Sequence, residues 1–140
     1  MDNSYFIERL RKTKIICVVR TSQYFDLRRA FSALIEGGID LIEITATCPE
    51  FAGTLDRYVE HIHSLGALCG VGTIVDMSTL EVSLRSKVDF VVSPIFEHAL
   101  LEFCNTHGTP MIPGCMTPTE IHVAWRSGAP VIKTFPGRVC

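Results

Sequence analysis

The sequence predicts an α/β fold, a (β/α)8 TIM barrel of which this chain supplies about six βα units, and three observations predict it. Short apolar runs alternate with segments of helical period at intervals of about 20 to 28 residues, the pattern of repeated βα units around a parallel sheet. The runs are apolar almost throughout, as strands are when helices cover one face and a packed interior fills the other. Polar residues then fall at the carboxyl end of nearly every run: Arg20, Glu43 and Thr45, Thr73, Ser93, Thr117 just past the fifth, and Lys133. An open doubly wound sheet also fits the alternation, but it concentrates its chemistry near one switch point. Side chains from this many strands converge when the sheet closes, which favours the barrel.

Tyr5 to Lys12 reads as a short amphipathic helix, with Phe6, Ile7 and Leu10 on one side and Glu8, Arg9 and Arg11 around the other. Ile15 to Val19 is a continuous apolar strand ending on Arg20. Asp26 to Glu36 carries Leu27, Ala30, Phe31, Leu34 and Ile35 at helical spacing, and Gly37-Gly38 closes it. The strand Leu41 to Thr45 follows, then a helix from about Glu50 to Ser64, then Gly66 and a strand Ala67 to Gly72. A helix over Met77 to Arg85 leads to the strand Phe90 to Ser93. Another over Glu97 to Thr106 leads past Gly108 to Met111 through Gly114. The last helix, Pro118 to Arg126, has Thr117 as its N-cap and Pro118 at its first position, and it ends at Gly128. The sixth strand lies between Pro130 and Pro136. Eight-stranded barrels need at least about 200 residues. This chain stops at Cys140, and Gly137-Arg138-Val139-Cys140 reads as the start of a loop leading onward. The expectation is a truncated product or partial gene that lacks the last two βα units.

Composition excludes several classes of partner. The 140 residues suit one domain, and 47% apolar with 20% charged residues is ordinary for a globular protein with a sizeable core. A net charge of -2 with both signs interspersed argues against nucleic acid and against an anionic membrane surface. No apolar run reaches the roughly 18 residues needed to span a bilayer. The six cysteines, Cys17, Cys48, Cys69, Cys104, Cys115 and Cys140, lie far apart without metal spacing, and several sit in apolar runs as small core residues. With no apolar signal segment at Met1-Asp2-Asn3-Ser4-Tyr5, a reduced, cytoplasmic setting is expected over a disulfide framework.

The sixth strand carries the chemistry. Pro130-Val131-Ile132-Lys133-Thr134-Phe135-Pro136 places one lysine in a mostly apolar, Pro-bounded run that reads as a buried strand. An amine in an apolar interior loses solvation of its charged form, so more of it is the neutral nucleophile that attacks carbonyls. Lys133 is therefore a Schiff-base candidate. The alternative is a lysine at a strand end that snorkels to solvent, and the local sequence leaves both open. Glu43 is the one carboxylate set inside an apolar strand; it reads as an acid/base group raised by burial or, alternatively, as an ion-pair partner of Lys133.

Ile42-Glu43-Ile44-Thr45, Gly70-Val71-Gly72-Thr73, Ser93-Pro94, Ile112-Pro113-Gly114-Cys115-Met116-Thr117-Pro118-Thr119-Glu120 and Ile132-Lys133-Thr134-Phe135-Pro136 stand in this order along the chain. Together they resemble the 2-keto-3-deoxy-6-phosphogluconate (KDPG) and 4-hydroxy-2-oxoglutarate (KHG) aldolases, over essentially the whole chain. The resemblance implies a (β/α)8 barrel, usually a homotrimer, that uses no metal. It implies cleavage of a small-molecule keto acid, a 2-keto-4-hydroxy acid, to pyruvate and an aldehyde through an imine on Lys133, with Glu43 moving the protons. It further implies that Thr73 binds the substrate carboxylate, with Gly72, Pro94 and Thr117 among the substrate-binding positions.

As a residue type, Thr73 is also an ordinary turn hydroxyl, and Gly70 and Gly72 either admit a ligand to the backbone or mark a bend. Many KDPG aldolases carry an arginine four residues after the glutamate, where this chain has Thr47. A threonine lacks the fork that an arginine offers a carboxylate. Arg20 is the substitute, and the related 6-phosphogalactonate aldolases have an arginine at the matching place. Its other reading is a surface arginine pairing with a loop.

His61 and His63, two apart on one helix, read as solvent-side residues, Trp125 and Phe31 as core, and Cys115 as lining near the mouth. The functional alternatives are a non-catalytic truncated barrel fragment and a phosphate-binding barrel enzyme of other chemistry. The second leaves Lys133 and Glu43 without a joint purpose.

Overall fold

The computed structural model describes residues 3–23 and 26–137, so the chain's first two residues and the end of its tail, Cys140 included, lie outside the described residues. Its strands run in chain order. Helix α1 (Asn3–Thr13) is followed by β1 (Cys17–Val19), α2 (Arg28–Glu36), β2 (Leu41–Thr45), α3 (Phe51–Ser64), β3 (Leu68–Gly72), α4 (Met77–Arg85) and β4 (Phe90–Val92). Then come α5 (His98–Thr106), β5 (Met111–Ile112), β6 (Gly114–Cys115), α6 (Pro118–Arg126) and β7 (Lys133–Thr134). Strands β1 to β5 form a parallel sheet in the order β1-β2-β3-β4-β5, and β6 pairs in parallel with β7. A doubly wound sheet reverses its order at a switch point. Here the order never reverses, as in a barrel.

The expected fifth strand is divided by Pro113, which has no N–H to give to a ladder. Val91 and Val92 pair with Met111 and Ile112 before it, and Gly114 and Cys115 pair with Lys133 and Thr134 after it. The Pro113 carbonyl accepts from Lys133 N at 2.9 Å, so the strand carries on from one neighbour to the next.

Alternate residues of the strands feed two separate cores. Ile42, Ile44, Cys69, Val71, Val91 and Met111 face outward and pack against Phe31, Tyr58, Ile62, Leu80, Leu101 and Ala124 of the helices. Leu41, Leu68, Phe90, Val92 and Ile112 face inward, where Phe6 of α1 closes one end, its ring 5.2 Å from that of Phe90. Helices α2 to α6 thus cover one face and α1 plugs the other, which is a partial barrel. Arg9 holds the plug in place. It forks onto the carboxylate of Asp40, just before β2, and reaches the carbonyl of Gly66, just before β3, at 2.7 Å. The Asp40 carboxyl is held below the usual carboxylate range by that fork, and Arg9→Ala is expected to cost about 1–2 kcal/mol in denaturant unfolding, since it strands a half-buried carboxylate. An unchanged midpoint would show the plug to be held by its apolar face alone.

Several local expectations are corrected here. Strand β1 is an edge, so Ile15 and Val18 are 54% and 53% exposed where a buried run was expected. Trp125, expected in the core, is 62% exposed, because α6 turns Ala124 inward instead. His63 lies on the solvent side as expected, and from there its Nε2 reaches Oδ2 of buried Asp89 at 2.7 Å, an oxygen that also accepts from Cys69 N at 2.7 Å. Helix α6 is capped as expected: Thr117 accepts from Glu120 N, and the Glu120 carboxylate accepts in return from Thr117 N at 2.8 Å. The five described cysteines are free thiols, four of them buried.

Candidate active site

Glu43 points into the barrel interior from β2, and only 5% of it is exposed. Burial raises its pKa above the ordinary carboxylate value, and the charges of Lys133 and then Arg20 pull it back down. Among the described residues no donor hydrogen-bonds this carboxylate. Shape holds it instead, because a Cβ on Gly72 of β3 would lie 1.7 Å from Glu43 Oε1.

Glu43 and Lys133 line one cleft of about 320 Å³. It is lined by Glu43, Val92 and Ile112, by Ile16 just before β1 and Val18 on it, by Val131 to Lys133 at β7, and by Leu10 and Lys14. Lys133 is half-buried, not enclosed as the apolar run suggested, since β7 has a neighbour on one side only among the described strands. Residues two apart on a strand share a face. The Lys133 ammonium accordingly lies 4.5 Å from the centroid of the Phe135 ring, a cation–π contact for which the sequence offered no role beyond the apolar run.

The other named residues are not part of this cleft's lining. Arg20 is exposed just past β1 and reaches Glu43 through its charge. Thr73 follows Gly72 with φ +63°, a conformation that a β-branched residue rarely adopts and that points to function when it occurs. Pro94 lines a neighbouring hollow of about 370 Å³ with Phe96, Gly114, Met116 and Phe135. Thr117 spends its hydroxyl on the cap of α6 and is exposed. Thr47, which stands where the family's arginine is common, bonds Thr45 hydroxyl to hydroxyl at 2.9 Å. Cys115, expected to line the mouth, instead packs into the core between sheet and helices, where burial and then Glu120 push its thiol up. Among the described residues no group of three or more His, Cys, Asp or Glu is disposed to hold a metal ion, and no helix is long and apolar enough to cross a membrane.

This arrangement puts an amine and a buried carboxylate in one largely apolar cleft, with the charge of Arg20 reaching the carboxylate. The family model described as "KDPG and KHG aldolase" matches residues 6–140. A 2-dehydro-3-deoxy-phosphogluconate aldolase of Treponema pallidum is 31% identical over 132 residues, covering 94% of this chain and 62% of that protein. A 2-dehydro-3-deoxy-6-phosphogalactonate aldolase of Escherichia coli is 26% identical, covering 89% of this chain and 60% of that protein. A solved 4-hydroxy-2-oxoglutarate/2-dehydro-3-deoxyphosphogluconate aldolase superposes with a TM-score of 0.85 at 26% identity, covering 99% of this chain and 66% of that one. The chain therefore spans about three-fifths of the length of these curated relatives.

Proposed function

Because the chain belongs to the KDPG and KHG aldolase family, we propose that it carries the Schiff-base half of a retro-aldol site acting on a 2-keto-4-hydroxy acid, a 2-keto-3-deoxy-6-phospho sugar acid or 4-hydroxy-2-oxoglutarate. The observation that carries the reading is that Glu43 and Lys133, far apart in sequence, line the same cleft.

In this reading the neutral Lys133 amine attacks C2 of the keto acid, and the carbinolamine loses water to give a protonated imine. Glu43 takes the proton from the C4 hydroxyl, and the C3–C4 bond breaks. Its electron pair forms a C2–C3 double bond while the C=N pair moves onto nitrogen, leaving an enamine and releasing the aldehyde. Protonated Glu43 then returns its proton to C3, and water releases pyruvate from the lysine. One carboxylate serves both directions of proton transfer, and burial suits Glu43 to that by bringing its pKa nearer the working pH. Thr73 and Arg20 supply donors to the substrate carboxylate, with Pro94 and Thr117 as further substrate-binding positions. The partner is thus a small keto acid; a cytoplasmic setting, supported by the free cysteines, and a homotrimer, supported by family membership, belong to the same proposal.

The direct test is incubation of the chain with pyruvate and borohydride followed by peptide mass mapping. The expected result is a stable pyruvyl-derived mass on Lys133. Labelling at another lysine, or none on the folded chain, would sink the assignment.

A further inference from the structure

We infer that Gly72 is a positioning residue for Glu43: the Cβ it lacks is the slot that seats the Glu43 carboxylate. The inference rests on the acid/base reading of Glu43 and reassigns Gly72 from contact with substrate to support of the group that acts on it.

A glycine within a strand weakens it and calls for a reason. Backbone conformation is not the reason, since Gly72 has no positive φ and an alanine could adopt its extended geometry. Space is the reason. A Cβ built on Gly72 would lie 1.7 Å from Glu43 Oε1, 2.3 Å from Cδ and 2.8 Å from Cγ. Two residues earlier on the same face, a Cβ on Gly70 would lie 2.3 Å from the Phe90 ring. Strand β3 therefore vacates two successive inward positions, one for Phe90 from β4 and one for Glu43 from β2.

The second vacancy matters because nothing else among the described residues tethers the carboxylate. Among the described residues no donor bonds it, and the charges of Lys133 and Arg20 act on it without fixing its direction. An alanine at 72 would force the carboxylate away by more than an ångström before the contact became tolerable. Displacement on that scale can cost about 100-fold in a positioned reaction.

The test compares the parent chain, Gly72→Ala, Glu43→Ala and the double variant. Stability is read by denaturant midpoint and chemistry by two measurements with pyruvate alone: the endpoint of borohydride trapping on Lys133, and the exchange of pyruvate methyl hydrogens with D2O by NMR. Exchange requires a base to remove a C3 proton from the imine, whereas the trapping endpoint requires the amine only. Gly72→Ala is expected to retain the trapping endpoint while slowing exchange about 10-fold or more, and to slow it no further once Glu43 is alanine. It is expected to destabilise the parent yet to be neutral or stabilising in the Glu43→Ala background, where the slot is empty. Unchanged exchange, equal loss of exchange in both backgrounds, or equal destabilisation in both overturns the inference. If Gly72→Ala alone does not fold, recovery of folding in the double variant supports the slot, and failure of both overturns it. A parent chain that traps no pyruvate overturns the underlying Schiff-base reading instead. The two failures are separable because the stability cycle requires no chemistry.

Discussion

Lys133→Met is expected to abolish pyruvate trapping and to lower keto acid cleavage by on the order of 10⁴-fold or more, because no other group in the mechanism can form the imine. Methionine keeps the length and apolar body of the side chain. It therefore preserves contacts along the cleft beside Val131 and Ile132 while removing the amine and its contact with the Phe135 ring. Lys133 is half-buried on a two-residue strand, so the substitution leaves little cavity and the fold should persist. Equal circular dichroism and thermal unfolding for parent and variant would confirm that the loss is chemical. A Lys133→Met chain that still gains the pyruvyl mass would place the nucleophile elsewhere.

Glu43→Gln is expected to leave the trapping endpoint intact and to slow turnover by about 10²-fold or more, the scale of general acid/base catalysis. Glutamine occupies the same volume and so keeps the slot against Gly72 filled, but it cannot take or return a proton. The same substitution should change stability with a defined sign. Burial raises the folded-state pKa of Glu43 above its unfolded value, so between the two the folded chain binds more protons than the unfolded one. Stability contributed by this group is therefore present below the unfolded value and is lost as pH rises through the folded one. Glu43→Gln removes that loss, so the variant should exceed the parent in stability at neutral pH, with the difference shrinking on acidification. Retained turnover, or a stability difference that grows on acidification, would refute the role given to Glu43.

The order of elements was legible in the sequence because it rests on local periodicity. The alternation of apolar runs and amphipathic segments identified the helices to within a few residues: α4 and α6 stand at the expected bounds, while α2 begins at Arg28 rather than Asp26. The Thr117 to Glu120 cap was readable for the same reason, since both partners lie within one turn. Errors arose where a local pattern met a partner from elsewhere in the chain. Trp125 sits at apolar spacing yet faces solvent, because α6 turns Ala124 inward. Pro113 lay in plain view, but its division of one strand between two neighbours follows from pairings on both sides.

By itself the sequence determined a parallel sheet with helices between its strands, a carboxylate on the second strand and a lysine on the last, because strand and helix periods are properties of consecutive residues. Only the tertiary structure decided that Glu43 and Lys133 share a cleft, that this cleft lies open beside β1 so that Lys133 is half-buried, and that Gly72 makes room for Glu43. Each of these depends on which residues stand opposite one another in register across β2, β3 and β7, and the spacing along any one strand carries no record of that register.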